Sequence, residues 1–150
     1  MRAVIQRVKE ASVVIDGKVY SNIGRGFLVL LGVEENDTEK DMEYLLKKIP
    51  NLRVFEDESG KMNLSLKDIG GEMLVVSQFT LLGNVKRGLR PDFTRAERPE
   101  RAKKLYLQFV EKVREQGIKV KTGKFAAFME VRLINEGPVT IIIDSRFREF

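Results

Sequence analysis

Four residues, Ser77, Gln78, Phe79 and Thr80, lie at the end of an apolar run and just before a basic stretch that contains glycine. The run at residues 72–78 predicts a buried strand, which would fix the four residues beside an exposed loop. Side chains at such a position can face a ligand, and backbone N–H groups released from the sheet can stabilise an oxyanion. The alternative is that Ser77 and Thr80 only satisfy hydrogen bonds of a turn.

A second candidate is the pair Gly137-Pro138, which lies in the sequence Asn-Glu-Gly-Pro-Val-Thr at residues 135–140. Glycine before proline is the context in which an unusual backbone, including a cis bond, is tolerated most easily. A rigid turn with exposed carbonyl groups could read a substrate without any side chain. As a plain hairpin turn between two strands, the pair would need no function.

The 150-residue chain contains no histidine, no cysteine and no tryptophan. It therefore cannot build a Ser-His-Asp triad, a thiol nucleophile, a disulfide or an ordinary His/Cys zinc site. The carboxylates lie in turns or helix caps and form no spaced cluster, so we expect no metal and no cofactor. Chemistry here must rely on hydroxyl groups, lysines, carboxylates, backbone amides or groups that the substrate supplies.

Positive charge is concentrated in residues 84–124, which hold thirteen basic and five acidic residues, a net charge of +8 against +5 for the whole chain. Such asymmetry favours a polyanionic partner, with nucleic acid as the first candidate, although a solvated surface would show the same pattern. Phe93, Phe125 and Phe128 could stack on a base, or they could belong to the core. The longest apolar stretch, residues 27–31, is far too short to span a membrane. We therefore expect no membrane partner and a cytoplasmic location.

The elements that must position these residues follow from periodicity and turn signals. Helices are predicted after the N-capping residues at 36–38, ending at Pro50, and from Arg98-Pro99 to about Gly117. Strands are predicted at residues 3–9, 12–15, 18–23, 27–33, 52–55, 72–78, 129–135 and 139–145. We expect one α+β domain over residues 1–150, with two main helices and a mostly antiparallel sheet.

Six segments of the chain together resemble the bacterial and eukaryotic type of D-aminoacyl-tRNA deacylase. The resemblance runs in order from Met1 to about Ile143, and the pairing of Ser-Gln-Phe-Thr-Leu with Asn-x-Gly-Pro-Val-Thr is highly specific. The segments are residues 5–8 with 11–13, 60–64, 75–81, 87–91, 122–127 and 135–140.

The resemblance implies a homodimer with a barrel-like sheet that hydrolyses the ester between a D-amino acid, or glycine, and the 3′-terminal adenosine of tRNA. It implies a cis Gly137-Pro138 bond that enters the partner's active site and excludes L-amino acids, with Arg7 holding this motif. By the same resemblance Ser77, Gln78, Phe79 and Thr80 form the catalytic segment, and Phe125 and Met129 surround the terminal adenine. Phe128 departs from the family, because many relatives carry a polar residue there, and residues 145–150 extend past the usual end.

An aminoacyl ester is already activated, so geometry and oxyanion stabilisation can suffice for its hydrolysis. We expect the 2′-hydroxyl of the tRNA to assist the attack of water, with backbone amides near Phe79 and Thr80 holding the oxyanion. A Thr80 nucleophile is the alternative mechanism. The alternative functions are a non-catalytic nucleic-acid-binding module related to replication factors and a general hydrolase of small esters.

Overall fold

The computed structural model describes all residues, 1–150, as eight strands, two α-helices and two short 3₁₀ helices. The 3₁₀ helices span Ile49–Asn51 and Phe79–Leu82. The helices are α1 (Glu39–Lys48) and α2 (Pro99–Glu115). The strands are β1 (Arg2–Ile15), β2 (Lys18–Ile23), β3 (Gly26–Gly32), β4 (Phe55–Glu56), β5 (Met62–Leu64), β6 (Glu72–Ser77), β7 (Lys119–Thr122) and β8 (Glu130–Asp144).

The long strand β1 organises the main sheet, because it pairs with β2, β3 and β8, in each case antiparallel. Beyond β3 the order continues to β6 and β7, and both of these pairings are parallel. The hydroxyl of Ser21 in β2 donates to the Thr122 carbonyl of β7 at 2.7 Å, which brings the two ends of the sheet together. The expected α+β fold with a barrel-like sheet is confirmed, and the sheet is mixed.

Both helices bury an apolar stripe against the sheet, as their periodicity predicts. The carboxylate of Asp41 accepts a hydrogen bond from the Thr38 N–H at 2.9 Å and completes a capping box at the start of α1. Pro99 occupies the first turn of α2, where no N–H donor is required. The stripes consist of Met42, Leu45 and Leu46 in α1, and Ala102, Leu105, Tyr106, Phe109, Val110 and Val113 in α2.

The predicted strands at 129–135 and 139–145 are a single strand, β8, so the interpretation of residues 136–138 as a hairpin is wrong. Both halves of β8 pair with β1 in the same antiparallel direction, and only the residues opposite Arg7 leave the ladder. The predictions at 3–9 and 12–15 likewise merge into β1, which is continuous through local irregularities in its pairing. A bulge lets a strand continue where a hairpin would reverse it.

Two short strands were not predicted. In β7, Val120 is buried between exposed Lys119 and Lys121, so the apolar signal is a single residue. The predicted strand at 52–55 reduces to Phe55–Glu56, which pairs with the unpredicted β5. None of the helices has both the length and the apolar character needed to cross a membrane.

Candidate active site

The end of β6 places Ser77, Gln78, Phe79 and Thr80 in a tight turn, as their position after an apolar run predicts. The Gln78 N–H donates to the Leu31 carbonyl of β3 at 2.8 Å, and the chain then enters the 3₁₀ helix Phe79–Leu82, here called the site turn. Phe79 and Thr80 are exposed, while Ser77 and Gln78 are half-buried. Because the first N–H groups of a helix have no acceptor within it, the amides of Phe79 and Thr80 can serve a bound oxyanion.

The side chain of Gln78 orients the hydroxyl of Thr80. Its Nε2 donates a hydrogen bond to Thr80 Oγ1, so the hydroxyl proton of Thr80 stays available for another acceptor. A carboxamide is not a base, and the chain contains no histidine. The arrangement therefore positions the Thr80 hydroxyl without activating it as a nucleophile.

Arg2 fixes the far end of the site turn, although no sequence motif singles this residue out. Its Nη1 donates to the Leu81 carbonyl at 2.9 Å, and its Nε donates to Asp144 Oδ2 at 2.8 Å. Burial raises the pKa of Asp144, but hydrogen bonds from the backbone N–H groups of Arg146 and Phe147 and from Arg2 leave this pKa below its usual value. A charged carboxylate thus holds the guanidinium that anchors the turn.

Opposite Arg7, residues 136–139 leave the ladder between β1 and β8 and form a protrusion, here called the Gly-Pro bulge. Arg7 is 5% exposed, and it donates to the carbonyl of Glu136 at 2.9 Å and to the carbonyl of Val54 at 2.7 Å. The side chain of Asn135 closes the bulge, because its Oδ1 accepts the Val139 N–H at 3.0 Å. Side chains therefore hold the bulge at both of its ends, Arg7 at Glu136 and Asn135 at Val139.

Gly137 and Pro138 lie exposed at the tip of the bulge, and the peptide bond between them is cis, as the resemblance implies. Gly137 has a φ of +130°, and an added Cβ would lie 2.9 Å from Nη2 of Arg7. Only glycine fits this backbone conformation against the guanidinium. The Asn135 hydrogen bond was also missed, although an asparagine just before a Gly-Pro pair is a recognisable turn signal.

Within one chain, the Gly-Pro bulge and the site turn lie far apart. Ser77 is in register with Leu31, Ala3 and Ile143, whereas the bulge lies opposite Arg7. The bulge and the site turn are therefore separated by three strand spacings, roughly 14 Å across the sheet, and by four residues, roughly 13 Å along the strands. The bulge of a chain therefore does not reach the site turn of the same chain.

The residues expected around adenine cluster after β7. The ring of Phe125 packs against Tyr106, with 6.0 Å between ring centroids, and Met129 packs over Gly123 and beside Val76. The hydroxyl of Tyr106 donates to the Val75 carbonyl at 2.7 Å, and burial raises its pKa, so it stays a neutral donor. Phe125 and Met129 are half-buried and thus offer an apolar wall, anchored to β6, for a ligand.

Phe128 does not belong to the core, because its side chain is 93% exposed. The basic residues between 84 and 124 are exposed as well, and only Arg95, Arg101 and Arg114 among them form ion pairs. Lys86, Arg87 and Arg90 lie in the loop that directly follows the site turn. The surface beside the site turn is therefore suited to phosphate groups.

No cluster of three or more His, Cys, Asp or Glu side chains could hold a metal ion.

Comparison with known proteins decides the family. The D-Tyr-tRNA(Tyr) deacylase family model matches residues 4–144. The chain belongs to this family. It is 61% identical over 146 residues to a D-aminoacyl-tRNA deacylase of Aquifex aeolicus, covering 97% of this chain and 99% of the relative. It is 59% identical over 145 residues to that of Thermotoga petrophila, covering 97% of each chain.

A solved structure named c-Myc DNA Unwinding Element Binding Protein superimposes on the chain with a TM-score of 0.91 and 48% identity. The superposition covers 96% of this chain and 98% of that one. Members of the D-aminoacyl-tRNA deacylase family are hydrolases, and the chain is accordingly an enzyme.

Replacing Arg7 by lysine tests the anchoring of the Gly-Pro bulge. An ammonium group cannot reproduce the two hydrogen bonds of the guanidinium fork, so one buried carbonyl loses its donor. We expect the free energy of unfolding to fall by about 1 to 2 kcal/mol, measured by urea denaturation. Arg132→Lys is the control, because Arg132 is exposed on β8 and pairs only with Glu130. Equal stability of the two variants would contradict the anchoring role.

Proposed function

We propose that the enzyme hydrolyses the ester of D-aminoacyl-tRNA and of mischarged glycyl-tRNA, and that it excludes L-aminoacyl-tRNA. The observation that carries the proposal is the site turn, where hydroxyl, carboxamide and free N–H groups converge at a strand end in a member of this family. The relatives named above are deacylases of D-aminoacyl-tRNA. The substrate class is carried over from those names.

In the proposed reaction, a water molecule attacks the ester carbonyl and the developing oxyanion accepts hydrogen bonds from the amides of Phe79 and Thr80. The 2′-hydroxyl of the terminal adenosine assists the attacking water. The bond from the carbonyl carbon to the 3′-oxygen breaks, and that oxygen takes the proton that the attacking water gives up. The products are the free amino acid and a tRNA with an intact 3′-hydroxyl. The protein supplies position and dipoles, and the substrate supplies the hydroxyl that assists the attacking water.

Selectivity follows if the enzyme is a homodimer in which each Gly-Pro bulge enters the site of the partner. The register of the sheet supports this arrangement, because the bulge lies too far from the turn of its own chain. The carbonyl groups at the tip of the bulge would lie where an L-residue directs its side chain. A D-residue directs its side chain away, and glycine has none, so both are accepted. Steric rejection of this kind needs no recognition of any particular side chain.

The 3′ end of tRNA would bind along the exposed basic surface. The terminal adenine would lie against Phe125 and Met129, and phosphate groups would contact the loop that carries Lys86, Arg87 and Arg90. Phosphate contacts release counterions, so binding weakens as salt concentration rises.

The reaction is tested with D-Tyr-tRNA whose terminal nucleoside is adenosine or 2′-deoxyadenosine. We expect release of free D-tyrosine from the first substrate, and roughly 100-fold slower release from the second, because an assisting hydroxyl is missing. Thr80→Val keeps the turn and removes the hydroxyl, and we expect it to retain activity within about tenfold of wild type. Release is measured by thin-layer chromatography of labelled amino acid.

Full activity on the deoxy substrate would refute assistance by the 2′-hydroxyl, and complete loss of activity in Thr80→Val would favour a Thr80 nucleophile. Turnover of D-tyrosine ethyl ester at a comparable rate would instead indicate a general esterase. Binding of nucleic acid without any release of amino acid would support the second candidate, a non-catalytic nucleic-acid-binding module. That candidate is favoured by the name of the solved structure with 48% identity.

Gly137→Ala tests the steric filter. The added methyl group would lie 2.9 Å from Arg7 Nη2 and must displace the bulge. We expect hydrolysis of L-Tyr-tRNA to rise at least about tenfold, while D-Tyr-tRNA hydrolysis changes far less. The reason is that the Gly-Pro bulge excludes L-residues and takes no part in the hydrolysis itself. Gly60→Ala is the matched control, since Gly60 also has a positive φ but has open space around it. An unchanged D/L ratio in Gly137→Ala would refute the filter.

A further inference from the structure

Phe93, which the sequence offers as a base-stacking or core aromatic residue, lies beside the site turn. Its ring packs edge-on against Phe79, with 5.2 Å between centroids and 70° between ring planes. The same ring covers Gly83, where an added Cβ would lie 2.9 Å from Phe93 Cε1 and 3.0 Å from the Thr80 carbonyl. Phe93 therefore contacts Phe79, the first residue of the site turn, and Gly83, which directly follows the turn.

The segment that carries Phe93 is bonded to Asn84 and to the chain that follows β3. Asn84 and Asp92 exchange two backbone hydrogen bonds of 2.8 and 2.9 Å, which close the intervening basic loop. On the other side of Phe93, the Glu35 N–H donates to the Arg95 carbonyl at 2.8 Å, and the Glu97 N–H donates to the Val33 carbonyl at 3.0 Å. Backbone hydrogen bonds on both sides of Phe93 thus hold residues 92–97 beside the end of β3.

The site turn itself has few restraints on its exposed side. Phe79 is 56% exposed, and Phe93 is its aromatic neighbour. Without that ring, the turn would be restrained by the Gln78 bond to β3, by Arg2 at Leu81 and by buried Leu82. The paired backbone bonds of Asn84 and Asp92 would hold only the chain beyond its end. A turn held from one side only can shift by a fraction of an ångström, which is enough to misplace oxyanion donors.

We propose that Phe93 is a positioning residue that clamps the site turn against the sheet and holds the amides of Phe79 and Thr80 in the geometry that turnover requires. The inference rests on the proposed function, because it assigns Phe93 a role in the same reaction. Phe93 acts through Phe79 and Gly83. Its loss therefore affects the rate of the chemical step and leaves the binding of the tRNA backbone intact.

The experiment compares Phe93→Ala and Phe93→Tyr with wild type on D-Tyr-tRNA. We expect kcat to fall roughly tenfold or more in Phe93→Ala with KM within about twofold, and Phe93→Tyr to restore most of kcat because it keeps the ring edge. Hydrogen exchange should accelerate at the Leu81 and Gly83 amides in Phe93→Ala and stay unchanged in the sheet. A general loss of folded protein would not localise exchange in this way.

Phe150→Ala is the matched control, because Phe147 and Phe150 form a similar edge-on pair, with centroids 5.0 Å apart, in the C-terminal segment. It should leave kcat and the exchange of residues 79–83 unchanged. Wild-type kcat and exchange in Phe93→Ala would overturn the role of Phe93 and leave the proposed function standing. Absence of D-Tyr-tRNA hydrolysis in the wild-type protein would instead overturn the proposed function.

Discussion

The shape of the Gly-Pro bulge depends on the hydrogen bonds that the guanidinium of Arg7 donates. This guanidinium occupies the position where the ladder between β1 and β8 is interrupted, and it donates to carbonyl groups of Glu136 and Val54. Residues 136–139 would otherwise expose unpaired backbone groups beside the core, which is costly. Arg7 pairs the Glu136 carbonyl, and Asn135 Oδ1 accepts the Val139 N–H. The continuous strand can therefore project Gly137 and Pro138 outward while both of its halves stay in the sheet.

The site turn likewise presents backbone groups, which a few side chains hold in place. Its candidate oxyanion donors are backbone amides. The backbone is held by Arg2 at the Leu81 carbonyl and by the bond from the Gln78 N–H to Leu31, and the ring of Phe93 contacts Phe79. Preorganised dipoles need no ionisable group, so a chain without histidine or cysteine can still catalyse hydrolysis of an activated ester. The positive loop after the turn presents a surface suited to phosphate groups.

The sequence predicted much of this arrangement, because its signals were local. The helix caps, the buried β6 strand and the polar residues at its end follow from periodicity and turn chemistry. What it could not predict depended on partners distant in the chain. Residues 136–138 look like a hairpin until β1 is seen to pair with both flanks, and Arg2 and Phe93 make their contacts with the site turn through the tertiary structure. The Asn135 contact is local, and its turn signal was recognisable from the sequence. The short strand β7 carries too little apolar pattern to be recognised.

The central claim is that each active site combines the site turn of one chain with the Gly-Pro bulge of the other. It is tested by a purified heterodimer in which one subunit carries Phe79→Pro, which removes the N–H at position 79, and the other carries Gly137→Ala. Only the second subunit then has a working turn. A shared site predicts that the heterodimer hydrolyses D-Tyr-tRNA and rejects L-Tyr-tRNA, because the bulge of the first subunit is intact. Hydrolysis of L-Tyr-tRNA at half the rate of the Gly137→Ala homodimer would contradict the claim.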